Sequence, residues 1–255
     1  MKKSIKILSL LMVVLLGGFA VSQGNLYKKH NKPGIAYWHG DLSKPRVALT
    51  FDDGPNEPYT SQILEILKKE NVRATFFMVG KNVDTYPEAA RKVAQDGHVI
   101  GNHSYSHRNL ILETDGKVRR EIKLAEDSIL KATGVRPTLF RPPFGADDPL
   151  TFHQTEKMGY VVVKWSVSAK DWREPGTAKI LGNVLNHIDN GAIILLHDGD
   201  KLFHGHDRSQ TVAALPDLIH ELRNRGYELV TVPELLNLDA LAARPSNTSE
   251  QASLN

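Results

Sequence analysis

Seven short apolar segments, at 47–50, 74–79, 98–101, 138–141, 161–167, 192–196 and 228–232, alternate with stretches of helical periodicity. Residues 61–70 carry Ile63, Leu64, Ile66 and Leu67 on one stripe, the three-and-four spacing that buries one helix face. Residues 87–95 open on Pro87 and stop before Gly97, the usual asymmetry of helix ends. Residues 118–133 repeat apolar positions at Val118, Ile122, Ala125, Ile129 and Ala132, and 178–188 and 212–225 read the same way. Strands separated by helical crossovers run parallel. The alternation therefore predicts an α/β domain built on about seven parallel strands. Counting alone leaves a closed barrel and an open, doubly wound sheet both available.

A chain of 255 residues suits one such domain, with roughly 150 residues per domain as a loose guide. Its ends read differently from its middle. Residues 1–22 hold Lys2, Lys3 and Lys6 and no acid, then an apolar run from Ile7 to Leu16, then small residues up to Ser22. That order matches a secretory signal peptide, or an N-terminal membrane anchor if uncleaved. The three lysines equal the whole formal charge of +3, so residues 23–255 are formally neutral. No basic excess is left there to grip phosphates, which disfavours nucleic acid as a partner. Residues 23–44, broken by Pro33-Gly34, read as a linker and N-terminal extension. The domain proper is expected over 45–238, and 239–255 as a polar, disordered tail.

Polar clusters follow the expected strands. They are Thr50-Phe51-Asp52-Asp53-Gly54-Pro55, Asn102-His103-Ser104-Tyr105-Ser106-His107, Arg141-Pro142-Pro143-Phe144-Gly145, Ser168-Ala169-Lys170-Asp171-Trp172 and Leu195-Leu196-His197-Asp198. Parallel strands present their C-terminal ends on one face, and that face carries the site. Each cluster alone has a plain reading. Asp52-Asp53-Gly54-Pro55 is a strong turn signal, His-x-x-x-His recurs by chance among 11 histidines, Arg141 could serve a structural ion pair, and Trp172 could be core. Together they suggest more. Neighbouring aspartates at a strand end point apart, so one can bind a metal while the other faces a substrate. Histidines four apart reach one side of a turn. With zero cysteine, any metal must sit on His, Asp or Glu. An Asp with two His is a catalytic zinc composition that leaves a position for water. His197, closing an apolar run, has the titration range of a general acid. His204-Gly205-His206 reads as solvated surface.

In order and spacing the five clusters resemble the NodB-like polysaccharide deacetylases, carbohydrate esterase family 4, over about residues 45–238. The resemblance implies a distorted (β/α) barrel. It also implies metal-dependent removal of acetyl groups from GlcNAc-type residues of a polysaccharide. Peptidoglycan is the first substrate expected, then chitin or poly-GlcNAc, then acetylxylan. It makes Asp53, His103 and His107 the ligands of a divalent metal, Zn2+ or Co2+. Asp52 becomes the general base, Arg141 the residue that orients it, and His197 the general acid. Phe144 supplies a backbone oxyanion donor, because Pro142 and Pro143 have no N–H. Asp171 supports His197, and Trp172 and Pro143 contact substrate. The implied protein is an extracytoplasmic monomer that meets a membrane only through its N-terminal segment. Two positions depart from the family pattern. Phe144 stands where Tyr is common, and Ser168 replaces the first acid of the Asp-x-x-Asp-Trp motif. A neutral Ser168 is expected to lower the pKa of His197. This motivates a second reading as a weakly active or inactive homologue that binds envelope glycans.

Overall fold

A computed structural model of the chain describes residues 36–146, 148–200 and 207–238. The N-terminal segment, the first part of the linker, the tail and His204-Gly205-His206 lie outside them. Nine strands pair in parallel: β1 (Ala36–Tyr37), β2 (Arg46–Asp52), β3 (Thr75–Met78), β4 (Val99–Asn102), β5 (Leu139–Phe140), β6 (Val161–Val163), β7 (Val167–Ser168), β8 (Ile193–His197) and β9 (Glu228–Leu229). Their order is β1-β6-β5-β4-β3-β2-β8-β7, with β9 beside the start of β2. The helices are α1 (Tyr59–Lys69), α2 (Gly80–Thr85), α3 (Pro87–Gln95), α4 (Asp115–Thr133), α5 (Pro149–Lys157), α6 (Thr177–Leu185), α7 (Ser209–Asn224) and α8 (Val232–Leu236). None of them is long and apolar enough to cross a membrane.

The strand order decides between barrel and open sheet. β6 and β7 follow each other in sequence yet lie near opposite ends of the row. If the row were flat, six spacings of roughly 4.8 Å would put them about 29 Å apart. The step from Val163 to Val167 reaches at most about 14 Å. The sheet must therefore curl until its ends meet. An antiparallel bridge between His39 and Ala192 joins the two margins, with a 2.7 Å bond from the Gly40 N–H to the Gly191 carbonyl. The result is a distorted (β/α) barrel.

Side-chain alternation along the strands sorts core from site. Val47, Leu49 and Phe51 of β2, Phe76 and Met78 of β3, and Ile194 and Leu196 of β8 face outward. There they pack with Ile63, Leu64 and Leu67 of α1 and Leu215, Leu218 and Ile219 of α7. Ala48, Phe77, Val163 and Ile193 pack in a separate inner cluster. The same parity carries Thr50, Asp52 and His197 toward the barrel interior.

Several boundaries differ from the sequence expectation. The 161–167 run splits into β6 and β7 around Lys164-Trp165-Ser166, because the chain changes partners across the seam. Nine strands thus replace about seven. Of the apolar run 228–232, only Glu228 and Leu229 form a strand. Thr231 begins α8 with a capping box to Glu234, which satisfies the first helical N–H groups. The extension expected over 23–44 holds β1 and the buried Trp38, so position 45 falls inside the folded unit.

Candidate active site

Five loops meet over the C-terminal mouth of the barrel, around a cavity of about 470 Å3. β2 delivers Asp52 at its last position. Asp53 then turns at φ 71, a left-handed conformation that Asp tolerates better than most residues. The turn sends the two neighbouring carboxylates to different partners. A Cβ on Gly54 would lie 2.1 Å from Asp198 Oδ2, so only glycine lets this loop rest on that side chain. Asp198 accepts from the Thr60 hydroxyl at 2.7 Å, and Thr60 accepts from the Asn56 N–H at 2.8 Å. Burial pushes the Asp198 carboxyl up to about 7.

Asp52 belongs to Arg141. The guanidinium is fully buried, and its Nη1 donates to Asp52 Oδ1 at 2.6 Å and to Thr50 Oγ1 at 2.8 Å. Its Nε donates to the Val163 carbonyl and its Nη2 to that of Lys164. The Phe77 ring lies 4.0 Å from its charge centre. A guanidinium fixed on every side can hold a carboxylate in one orientation.

Asp53 belongs to the two histidines. Its Oδ1 is 3.0 Å from His107 Nε2 and 3.4 Å from His103 Nε2. His103 Nδ1 sits 2.6 Å from the Arg141 carbonyl, which assigns the proton to Nδ1 and leaves Nε2 as a lone pair. That lone pair faces Asp53 Oδ1, a buried oxygen with no hydrogen-bond donor among the described residues. Acceptor against acceptor calls for a cation between them. Tetrahedral ligands at about 2.0–2.1 Å stand roughly 3.3 Å from one another, close to the separations found. All three donor atoms lie within 4.8 Å of one another. The residues present therefore fit a divalent metal.

The 103–107 loop is clamped from below. The Ser104 hydroxyl accepts from the His107 N–H at 3.1 Å. Glu121 of α4 accepts from both the N–H and the hydroxyl of Ser106, each at 2.8 Å. Sequence reasoning missed Glu121, since nothing in a helical stripe marks one exposed-face acid as the partner of a distant loop. Glu121→Ala should weaken metal affinity about 10–100-fold, the usual cost of removing support behind ligands. Competition with a chromogenic chelator measures this, and unchanged affinity would show that the clamp is idle.

On the opposite wall, His197 Nδ1 is 2.8 Å from Asp171 Oδ1. Asp171 Oδ2 accepts from the His197 N–H and the Thr211 hydroxyl. Burial acts to lower His197, but Asp171 first, then Asp53 and Asp52, raise it to about 9. Asp171 supplies the counter-charge, while the Ser168 hydroxyl accepts from the Lys170 N–H at 3.3 Å. Ser168→Asp should accordingly leave the rate within about 3-fold and the basic limb in place, since the pairing carboxylate is already present. A pH–rate profile of that variant that moves by a unit or more would contradict this.

Phe144 adopts φ 58 inside a 3-10 turn. Its ring stands edge-on to His107, with centroids 4.7 Å apart. Lys164, also missed from sequence, holds this turn by donating to the carbonyls of Gly145 and Ala146. A lysine directly after three valines was the only available hint. Trp172 is half exposed and lines the cavity with Trp165. Pro143, in contrast, is buried within the turn, and its neighbour Pro142 forms the wall.

The profile of the polysaccharide deacetylase family matches residues 39–163. The chain is 39% identical over 214 residues to a peptidoglycan-N-acetylglucosamine deacetylase of Bacillus cereus, covering 83% of this chain and 98% of that one. It superposes on the crystal structure of the Bc1960 peptidoglycan N-acetylglucosamine deacetylase with a TM-score of 0.76 and 35% identity, over 80% of this chain and 93% of that one. BA3943, a CE4 family pseudoenzyme from Bacillus anthracis, matches with a TM-score of 0.73 and 30% identity, over 78% of this chain and 68% of that one. Close identity over nearly the full length of a relative, on the same curled barrel, shows that this chain belongs to the polysaccharide deacetylases of carbohydrate esterase family 4, hydrolases of N-acetyl amide bonds.

Proposed function

We propose that this protein is a metal-dependent N-deacetylase of GlcNAc residues in peptidoglycan, acting outside the cytoplasm. The observation that carries the proposal is the division of labour around the metal triad. A carboxylate locked on a buried arginine stands on one side, and an imidazole locked on a buried carboxylate on the other. A divalent cation on Asp53, His103 and His107, for which zinc suits the donor set, would lower the pKa of a water and polarise the acetamide carbonyl. Asp52, held in place by Arg141, takes the proton from the attacking water. The developing oxyanion gains a hydrogen bond from the Phe144 N–H. His197, kept protonated by Asp171, delivers its proton to the departing amine nitrogen, which cannot leave as an anion. Trp172 offers a flat apolar face for a sugar ring beside the reacting acetamide.

Peptidoglycan is favoured by the named activity of the Bacillus cereus relative and by the export-type residues 1–22. The likeness to a pseudoenzyme and the Ser168 departure favour a second reading, as a non-catalytic glycan-binding protein. The retained Asp52, Arg141, Asp171, His197 and metal triad stand against it. Mass spectrometry of products from purified peptidoglycan and from defined GlcNAc oligomers, with zinc or cobalt added, decides between them. Loss of acetyl groups from peptidoglycan is the expected result. Binding without acetate release from any glycan would establish the second reading.

A further inference from the structure

The 103–107 loop has two sides. His103 and His107 face the catalytic cavity, whereas Tyr105 and Ser106 line a separate pocket of about 300 Å3. Four cations surround that pocket, Lys81, Arg108, Lys117 and Arg120, together with the carboxylates Glu113 and Glu121. Both carboxylates are engaged. Glu121 accepts twice from Ser106, and Glu113 pairs with Arg108 at 3.4 Å and Lys117 at 3.0 Å. Lys81 and Arg120 are exposed and have no ion-pair partner among the described residues. Residues 23–255 are formally neutral, so this gathering of cations around a concavity is a local positive field rather than a share of a general excess.

We propose that this pocket binds carboxylates on the peptide substituents of peptidoglycan while the sugar chain occupies the catalytic cavity. The proposal rests on the reading above and adds to it a second recognition point. Three observations select this ligand. Guanidinium and ammonium groups around one concavity suit a carboxylate, and arginine can meet it with two parallel bonds. A volume of about 300 Å3 holds an amino-acid-sized group but not a folded partner. Tyr105 is two residues from each histidine, so its Cα lies within about 7 Å of theirs. An anion reaching the pocket during catalysis must then be carried close to the reacting sugar, as a substituent of the same strand is.

The test uses the full chain and the double variant Lys81→Glu/Arg120→Glu, which removes no ion pair from the fold. Three glycans of equal length serve as substrates: a peptide-bearing peptidoglycan oligomer, the same oligomer stripped of its peptides, and a chitooligosaccharide. For the variant, KM on the peptide-bearing oligomer should rise about 10-fold with kcat unchanged, a modest effect because exposed ion pairs are individually weak. Its salt dependence should flatten, since screening acts over about 8–10 Å in ordinary buffers. Kinetics on the other two glycans should not change. An equal loss on all three, or no change on the peptide-bearing oligomer, would overturn the proposal. So would a glycerol-phosphate polymer that inhibits wild type but not the variant on the stripped oligomer, because the bound anion would then be a phosphate of another polymer. Equilibrium binding of the peptide-bearing oligomer, compared between wild type and variant without turnover, separates the two proposals. Absence of acetate release overturns the deacetylase reading, while equal binding overturns the pocket.

Discussion

His103→Ala should abolish stoichiometric binding of a divalent cation and reduce acetate release by at least about 10³-fold, because the proposed mechanism relies on that cation to activate water near neutral pH. His103 supplies one of three donor atoms, with those of Asp53 and His107, that lie within 4.8 Å of one another. Removing it leaves Asp53 and His107, and two ligands seldom retain zinc against a chelator. Stability gives an independent readout. A ligand that binds only the folded chain stabilises it by about 4 kcal/mol at a thousand times its Kd. A chelator should therefore lower the Tm of wild type by several degrees and leave that of His103→Ala unmoved. Metal content by mass spectrometry, acetate release and paired melting curves check the three parts. A variant that keeps one metal per chain and its activity would refute the ligand assignment.

Asp171→Asn should cut the rate by about 10²–10⁴-fold, the usual contribution of a positioned general acid, and move the basic limb of the pH profile downward. The sign follows from the opposing influences on His197. Burial lowers its pKa, and the Asp171 carboxylate outweighs that, with help from Asp53 and Asp52, to bring it to about 9. A general acid works in its protonated form, so activity persists below that value and fades above it. Asparagine keeps the shape but loses the charge, and burial then acts with less opposition. Bound metal offsets the share of Asp53 and Asp52 but not that of Asp171, so the direction holds in the loaded enzyme. The measurement is kcat/KM against pH for both proteins. A basic limb at the same pH in the variant would show that Asp171 does not govern His197.

How much of this was legible beforehand differs by residue. His103 and His107 were readable as a pair from their spacing, and the absence of cysteine left few other donors, but the choice of Asp53 over Asp52 came only from the family resemblance; the structure sets Asp53 beside both histidines. Arg141, two prolines before Phe144, was readable locally as a rigid cation, and only the family resemblance pointed to Asp52 as its partner. Those two residues meet across 89 positions of sequence, and no local pattern encodes such a distance. The partner of His197 was no more legible from the departure at Ser168. Its replacement suggested a weakened His197, whereas the acid that contacts the imidazole lies three residues on, at Asp171. Glu121 and Lys164 were invisible because each holds a loop through a contact that only the folded chain creates.

The sequence by itself determined the alternation of parallel strands and helices, the side-chain parity that turns Thr50, Asp52 and His197 away from the outer core, and the kind of donor any metal could find. These are local properties, set by periodicity and residue type. Tertiary structure decided the rest. Curling the sheet, forced by the short link between β6 and β7, brought five strand ends to one mouth. It gave Asp52 to Arg141, Asp53 to the histidines and Asp171 to His197. Which carboxylate pairs with which cation depends on distances of a few ångströms between segments far apart in the chain, and only packing sets those.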